Sequence, residues 1–202
     1  MSHTILDITC PGCGAPVSTA DKDCKYCGRP IIISTFNMVT SMTIPELKKY
    51  ATTYEEALTN APDDESLTVS AAMCYLKLKL YDKALAGFEK AINQNIGNSE
   101  NYFYASICLL KGKKAFNINK LDIDKCLELI NAAIDIEQKS IYYFFRSYIK
   151  YDFYERKYLT INPDFKEDLK SAKNRNLSTT DVELLFSILN VQVPQKLLEV
   201  IS

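Results

Sequence analysis

The chain has 202 residues, 47% of them hydrophobic, with 24 Lys and Arg against 25 Asp and Glu. That length and apolar content allow one sizeable buried core beside a small satellite module. The formal net charge of -1 removes the electrostatic drive for non-specific attachment to nucleic acid or an anionic membrane.

The N-terminal "MSHTILDITC" lacks a basic segment followed by an apolar one, and no apolar run approaches the roughly 18 residues of a membrane span. A soluble cytoplasmic protein is expected. Cys74, Cys108 and Cys126, one per predicted helix, fit a reducing compartment better than a disulfide framework.

The first feature along the chain is "TCPGCGAPVSTADKDCKYCGRPIIIS", residues 9 to 34, spaced as Cys10-x-x-Cys13 and then Cys24-x-x-Cys27. Two intervening residues let both thiolates of a pair face one point from a tight turn. Two such turns supply four sulfurs for a tetrahedral metal site. Gly14 and Gly28 each follow the second cysteine of a pair, where positive φ lets the turn close. "TILDIT", "APVST" and "RPIIIST" are short and β-prone, with "ADKD" as a hairpin turn. A three-stranded unit below about 40 residues needs a structural metal to hold together. A redox role would call for one CxxC opening a helix in a βαβ setting, and both pairs here lie between strand-like pieces. A catalytic ion keeps one position open, whereas four thiolates close the shell. His3, the only histidine, reads as a terminal residue.

"CPGCG" and "CKYCGRP" resemble the two knuckles of rubredoxin-type zinc ribbons, over about residues 4–36. The resemblance implies one structural Zn2+ on Cys10, Cys13, Cys24 and Cys27. Many ribbons bind nucleic acid, so an alternative is a regulator whose ribbon contacts nucleic acid or the transcription machinery. Against it, Lys22, Lys25 and Arg29 are matched by Asp7, Asp21 and Asp23, which leaves no basic excess for phosphate.

From Pro45 the apolar period changes from 2 to about 3.6. "IPELKKYATTYEEALTNAPDD" reads as a lone helix with Tyr50, Tyr54 and Ala57 on one face. In "SLTVSAAMCYLKLKLYDKALAGFEKAIN", residues 66 to 93, Ala72 and Tyr75 share a face of a first helix. Tyr81 marks the turn, and Ala84, Phe88 and Ala91 share a face of a second. This alternation of small and large residues resembles a tetratricopeptide repeat, whose period is about 34 residues. In a second copy from Ser99, Cys126, Ile130 and Ala133 take the places of Ala84, Phe88 and Ala91, with "GKKAFNINKL" as extra length. A degenerate third copy has Ser147 at the small position, then Phe165, Leu169 and Ala172. Ser178 with Asp181 reads as an N-cap pairing and Pro194 as the start of a last short helix.

The expected fold is therefore mainly α: a small N-terminal β zinc ribbon (1–36), a linker (37–44) and an α-helical tetratricopeptide-like repeat solenoid (45–202). Within the last, 45–62 is a half-repeat helix, 65–98, 99–139 and 140–176 are repeats, and 177–202 are capping helices.

In that register the first helices line a concave face with Val69, Met73, Leu76 and Lys77, then Phe103, Ile107, Leu110 and Lys111, then Phe144, Tyr148 and Tyr151. Such repeats clamp carboxylates with Lys and Asn where this chain has apolar residues. An apolar or amphipathic peptide partner is expected, unless the chain's own tail fills the face. Residues 142–158 hold nine aromatics; at helical spacing these read as packing rather than base-stacking residues. No P-loop, GxGxxG or HExxH is present, so no enzyme is expected. The oligomeric state is open.

Overall fold

The computed structural model describes residues 5–201, so His3 lies outside the described residues. The chain is mainly helical, with a small two-stranded sheet near the N-terminus. It divides into two compact units, the first running through Ile96 and the second beginning at Gly97. Residues 37–44, expected as a linker, lie within the first unit.

In the first unit, β1 (Asp7–Thr9) pairs antiparallel with β2 (Pro16–Ser18), setting Ile8 opposite Val17. The expected third strand does not form. Its segment contributes one isolated bridge, Asp23 to Pro30, and then runs through the buried side chains of Ile31 and Ile33. The expected linker contains α1 (Asn37–Thr40) with Val39 buried, and Phe36 just before it is buried too.

Helix α2 (Ile44–Asn60) starts at Thr43, whose backbone N–H donates to the Glu46 carboxylate at 2.8 Å, with Pro45 in the first turn. Both devices fix a helix start. Its buried face carries Leu47, Tyr50, Tyr54 and Ala57. Helix α3 (Glu65–Lys77) is capped by Asp64, which accepts from the Leu67 N–H at 2.9 Å. Helix α4 (Tyr81–Gln94) buries Ala84, Phe88 and Ala91. The Asn95 side chain donates to Glu65 at 2.9 Å, joining the end of α4 to the start of α3, so the two form an antiparallel hairpin. Their approach is close at Gly87, where an added Cβ would lie 2.9 Å from the Ala72 Cβ.

The second unit repeats this arrangement. Helices α5 (Ser99–Leu109) and α6 (Lys120–Ile136) form a hairpin closed at its open end by Ser99 Oγ donating to Glu137 at 2.8 Å. The extra residues between them fold as a loop with a 3-10 turn, Ala115–Asn117, that buries Ala115 and Ile118. Helix α7 (Ser140–Ile149) pairs with α8 (Phe165–Lys173), and Arg175 donates to Gln138 at 2.7 Å across their open end. Past Ile149 the chain widens into a π turn, Lys150–Tyr154, and then a 3-10 turn, Glu155–Lys157. The wide turn carries Lys150 and Asp152 into the interior. There Lys150 Nζ lies 2.7 Å from Asp168, and Asp152 pairs with Arg156 while accepting the Phe116 N–H at 2.8 Å.

Helices α9 (Thr179–Leu189) and α10 (Gln195–Ile201) end the chain, α10 directly after Pro194. Ser178 precedes α9 but makes no capping hydrogen bond with its side chain. Among the described residues no helix is long and apolar enough to cross a membrane.

Candidate metal centre

The four N-terminal cysteines converge, their sulfur atoms all lying within 4.8 Å of one another. Cys10 and Cys27 sulfurs are 3.7 Å apart, and those of Cys13 and Cys24 are 3.8 Å apart. A tetrahedral site with metal–sulfur bonds of about 2.3 Å places its sulfurs about 3.8 Å apart. The group is therefore spaced to hold a metal ion.

Two equivalent knuckles create this geometry. Cys10 N–H donates to Ala15 and Gly14 N–H to Cys10, while Cys24 N–H donates to Arg29 and Gly28 N–H to Cys24, all at 2.7–2.9 Å. Gly14 and Gly28 have φ of 81° and 71°, the left-handed conformation that closes each turn without a Cβ penalty. The leading cysteine of each knuckle is buried and the trailing one exposed. Cys10 and Cys24 pack with Val17 and Ile31 in a small core flanked by Ile8 and Ile32.

The sulfurs are electrostatically unequal. Burial opposes ionisation of Cys24, but backbone N–H groups of Tyr26 and Cys27 outweigh it and lower its pKa to about 7. The Arg29 N–H favours the Cys27 thiolate, yet local desolvation and hydrogen bonding with its three cysteine neighbours prevail and raise its pKa to about 12. Four thiolates this close repel one another, so full ionisation needs a cation among them.

The centre is built directly onto helices. Arg29 pairs with Glu46 at 2.5 Å, Lys49 Nζ donates to the Gly12 carbonyl at 3.0 Å, and Tyr50 Oη to the Pro30 carbonyl at 3.0 Å. Tyr54 Oη donates to the Ile31 carbonyl at 2.8 Å, and the Ile33 N–H donates to Ser70 Oγ of α3 at 2.9 Å. The sequence pattern marked Tyr50 and Tyr54 as one helix face. Nothing local announced Arg29, Glu46, Lys49 or Ser70 as supports, because their partners lie 17 to 37 residues away.

Most of the residues expected to line a peptide groove are buried within the chain. Val69, Met73, Leu76, Phe103, Ile107, Leu110, Phe144 and Tyr148 are buried, Lys77 and Tyr151 are half-buried and Lys111 is exposed. Phe103 packs on Tyr142 with ring centres 4.8 Å apart. Phe144 and Tyr148 pack on Phe186 of α9, at 6.2 and 5.1 Å. At Phe144 and Tyr148 the chain's own later helix covers the face, the alternative that the sequence left open.

Comparison with models of known protein families finds no match for this chain. Comparison with curated proteins likewise finds no matching relative.

Proposed function

We propose that the chain is a non-enzymatic interaction protein, an adaptor in which a structural zinc ribbon braces tetratricopeptide-like helical hairpins that engage a protein partner. The observation that carries this reading is the recurrence of the hairpin. Ala84, Phe88 and Ala91 of α4, Cys126, Ile130 and Ala133 of α6, and Phe165, Leu169 and Ala172 of α8 are all buried at the same spacing. Ala72, Ser106 and Ser147 are buried small residues of the facing helices. Four thiolates in tetrahedral spacing favour zinc over oxygen-seeking ions. A hollow of about 760 Å³ in the second unit is lined by Asp152 and Glu199 with Lys114, Arg156 and Lys196, but Asp152 is already ion-paired with Arg156, so it supports no acid–base pair. Two measurements test the proposal: elemental analysis of the purified chain, expected to find one zinc per chain, and affinity capture from native cells with reciprocal tagging. Absence of any reproducible partner, or a partner lost with no surface change, would overturn the adaptor reading.

A further inference from the structure

We propose that the groove between α8 and α10 docks an acidic peptide segment carrying an apolar anchor side chain. This rests on the interaction reading above and assigns it a site and a partner chemistry. The groove, of about 420 Å³, is lined by Phe165, Leu169 and the four lysines Lys166, Lys170, Lys173 and Lys196, with Asn174 and, among the described residues, no carboxylate. Lys166, Lys170 and Lys173 fall at i, i+4 and i+7 and so line one side of α8, while Lys196 rises from α10.

This concentration of one charge is unfavourable for the isolated protein. Like charges four residues apart destabilise a helix, and Lys166 stands in the first turn, where a cation opposes the helix dipole. The dipole favours Lys170 and Lys173 in the last turn but accounts for neither Lys166 nor Lys196. Asp168, the buried acid of α8, is held by Arg146 at 2.5 Å and Lys150 at 2.7 Å and cannot neutralise the rim. Lys196 pairs with the exposed Glu155 at 3.3 Å, a kind of pair worth little, and lies over the Tyr151 and Phe165 rings at 5.6 and 5.5 Å, so Lys170 and Lys173 carry most of the uncompensated charge.

An acidic segment supplies what the groove lacks. Its carboxylates meet the ammonium groups, and one apolar side chain lies against the apolar stems of the lysines. A nucleic acid would need an exposed ring for base stacking, and Phe165 is only 4% exposed. A membrane surface would need protruding apolar residues, and here they are recessed.

The test uses the full chain and a fluorescein-labelled acetyl-DEDLFEDE-amide peptide, read by fluorescence anisotropy. Binding is expected to weaken with salt and to weaken at least about tenfold in the Lys170→Glu/Lys173→Glu variant, with Lys48→Glu unaffected. Replacing the peptide's Leu-Phe by Ser-Ser should weaken binding comparably. Lys170→Gln/Lys173→Gln, checked by circular dichroism, reads the same loss without reversing charge in the last turn. Equal peptide binding by wild type and variants overturns the inference. So does tighter lysine-dependent binding to single-stranded DNA or phosphatidylserine vesicles, or self-association abolished by the same variants. If a captured native partner binds the variants unchanged, the adaptor reading stands and this site falls.

Discussion

Tyr54→Phe is the sharpest probe of how the cysteine module is joined to the helices. Tyr54 is fully buried, and its hydroxyl donates to the Ile31 carbonyl, four residues beyond Cys27. Removing the hydroxyl keeps the ring and leaves that carbonyl without its donor, a loss of about 1–3 kcal/mol. The same contact should transmit metal binding into α2 and α3. An ion present at a hundredfold excess over its Kd stabilises the folded state by about 2.7 kcal/mol. Hydrogen exchange read by mass spectrometry resolves the effect by segment. Chelation should speed exchange in peptides from α2 and α3, as well as in the knuckles, and Tyr54→Phe should reproduce part of that acceleration with metal present. Unchanged exchange in α2 and α3 after chelation would refute the coupling, leaving the knuckles as an independent appendage.

Four further outcomes are expected. Metal affinity should fall with acidity: binding must displace thiol protons, and below about pH 7 Cys24 also takes one up, so a competition titration showing constant affinity from about pH 8 to about pH 6 would contradict the site. Asp168→Ala strips Lys150, only 5% exposed, and Arg146 of their carboxylate, and urea unfolding should show a loss of about 3–5 kcal/mol. Gly87→Ala should lower stability by about 1 kcal/mol or more despite alanine's higher helix propensity, because the new methyl meets Ala72 at 2.9 Å; a rise in denaturation midpoint would show that the hairpin yields. Burial raises the pKa of Tyr50, Tyr54 and Cys74, the last to about 12. The folded chain then keeps protons that the unfolded chain loses, so stability is complete below about pH 8.5 and falls above it, which denaturation midpoints at neutral and alkaline pH would reveal.

The parts legible in the sequence were those set by short-range geometry. Cysteine spacing is dictated by how two thiolates reach one ion from one turn, and the glycines after Cys13 and Cys27 take the positive φ that the spacing requires. Helical faces such as Ala84, Phe88 and Ala91 are likewise a property of one segment. "RPIIIST" failed as a strand for the opposite reason. Its β-branched residues have strand propensity, but Tyr50, Tyr54 and Ser70 supply polar partners for Pro30, Ile31 and Ile33 from helices far along the chain. Val39, read as linker, and Phe36 just before it are buried for the same long-range reason.

The residues expected to line a peptide groove point to a deeper limit. A 3.6-residue period reports that a face is apolar, not what covers it, so Phe144 and Tyr148 look identical whether a guest or Phe186 packs against them. Charge carries further information, because several exposed cations gathered along one side of a helix are not explained by packing of the core. By that criterion, the informative residues of α8 are not its buried Phe165, Leu169 and Ala172 but the three lysines beside them. The metal centre and the lysine groove are then distinct in kind. The first satisfies its own chemistry once an ion is bound, whereas the second gathers four lysines of which, among the described residues, only Lys196 has an ion pair with a carboxylate, Glu155.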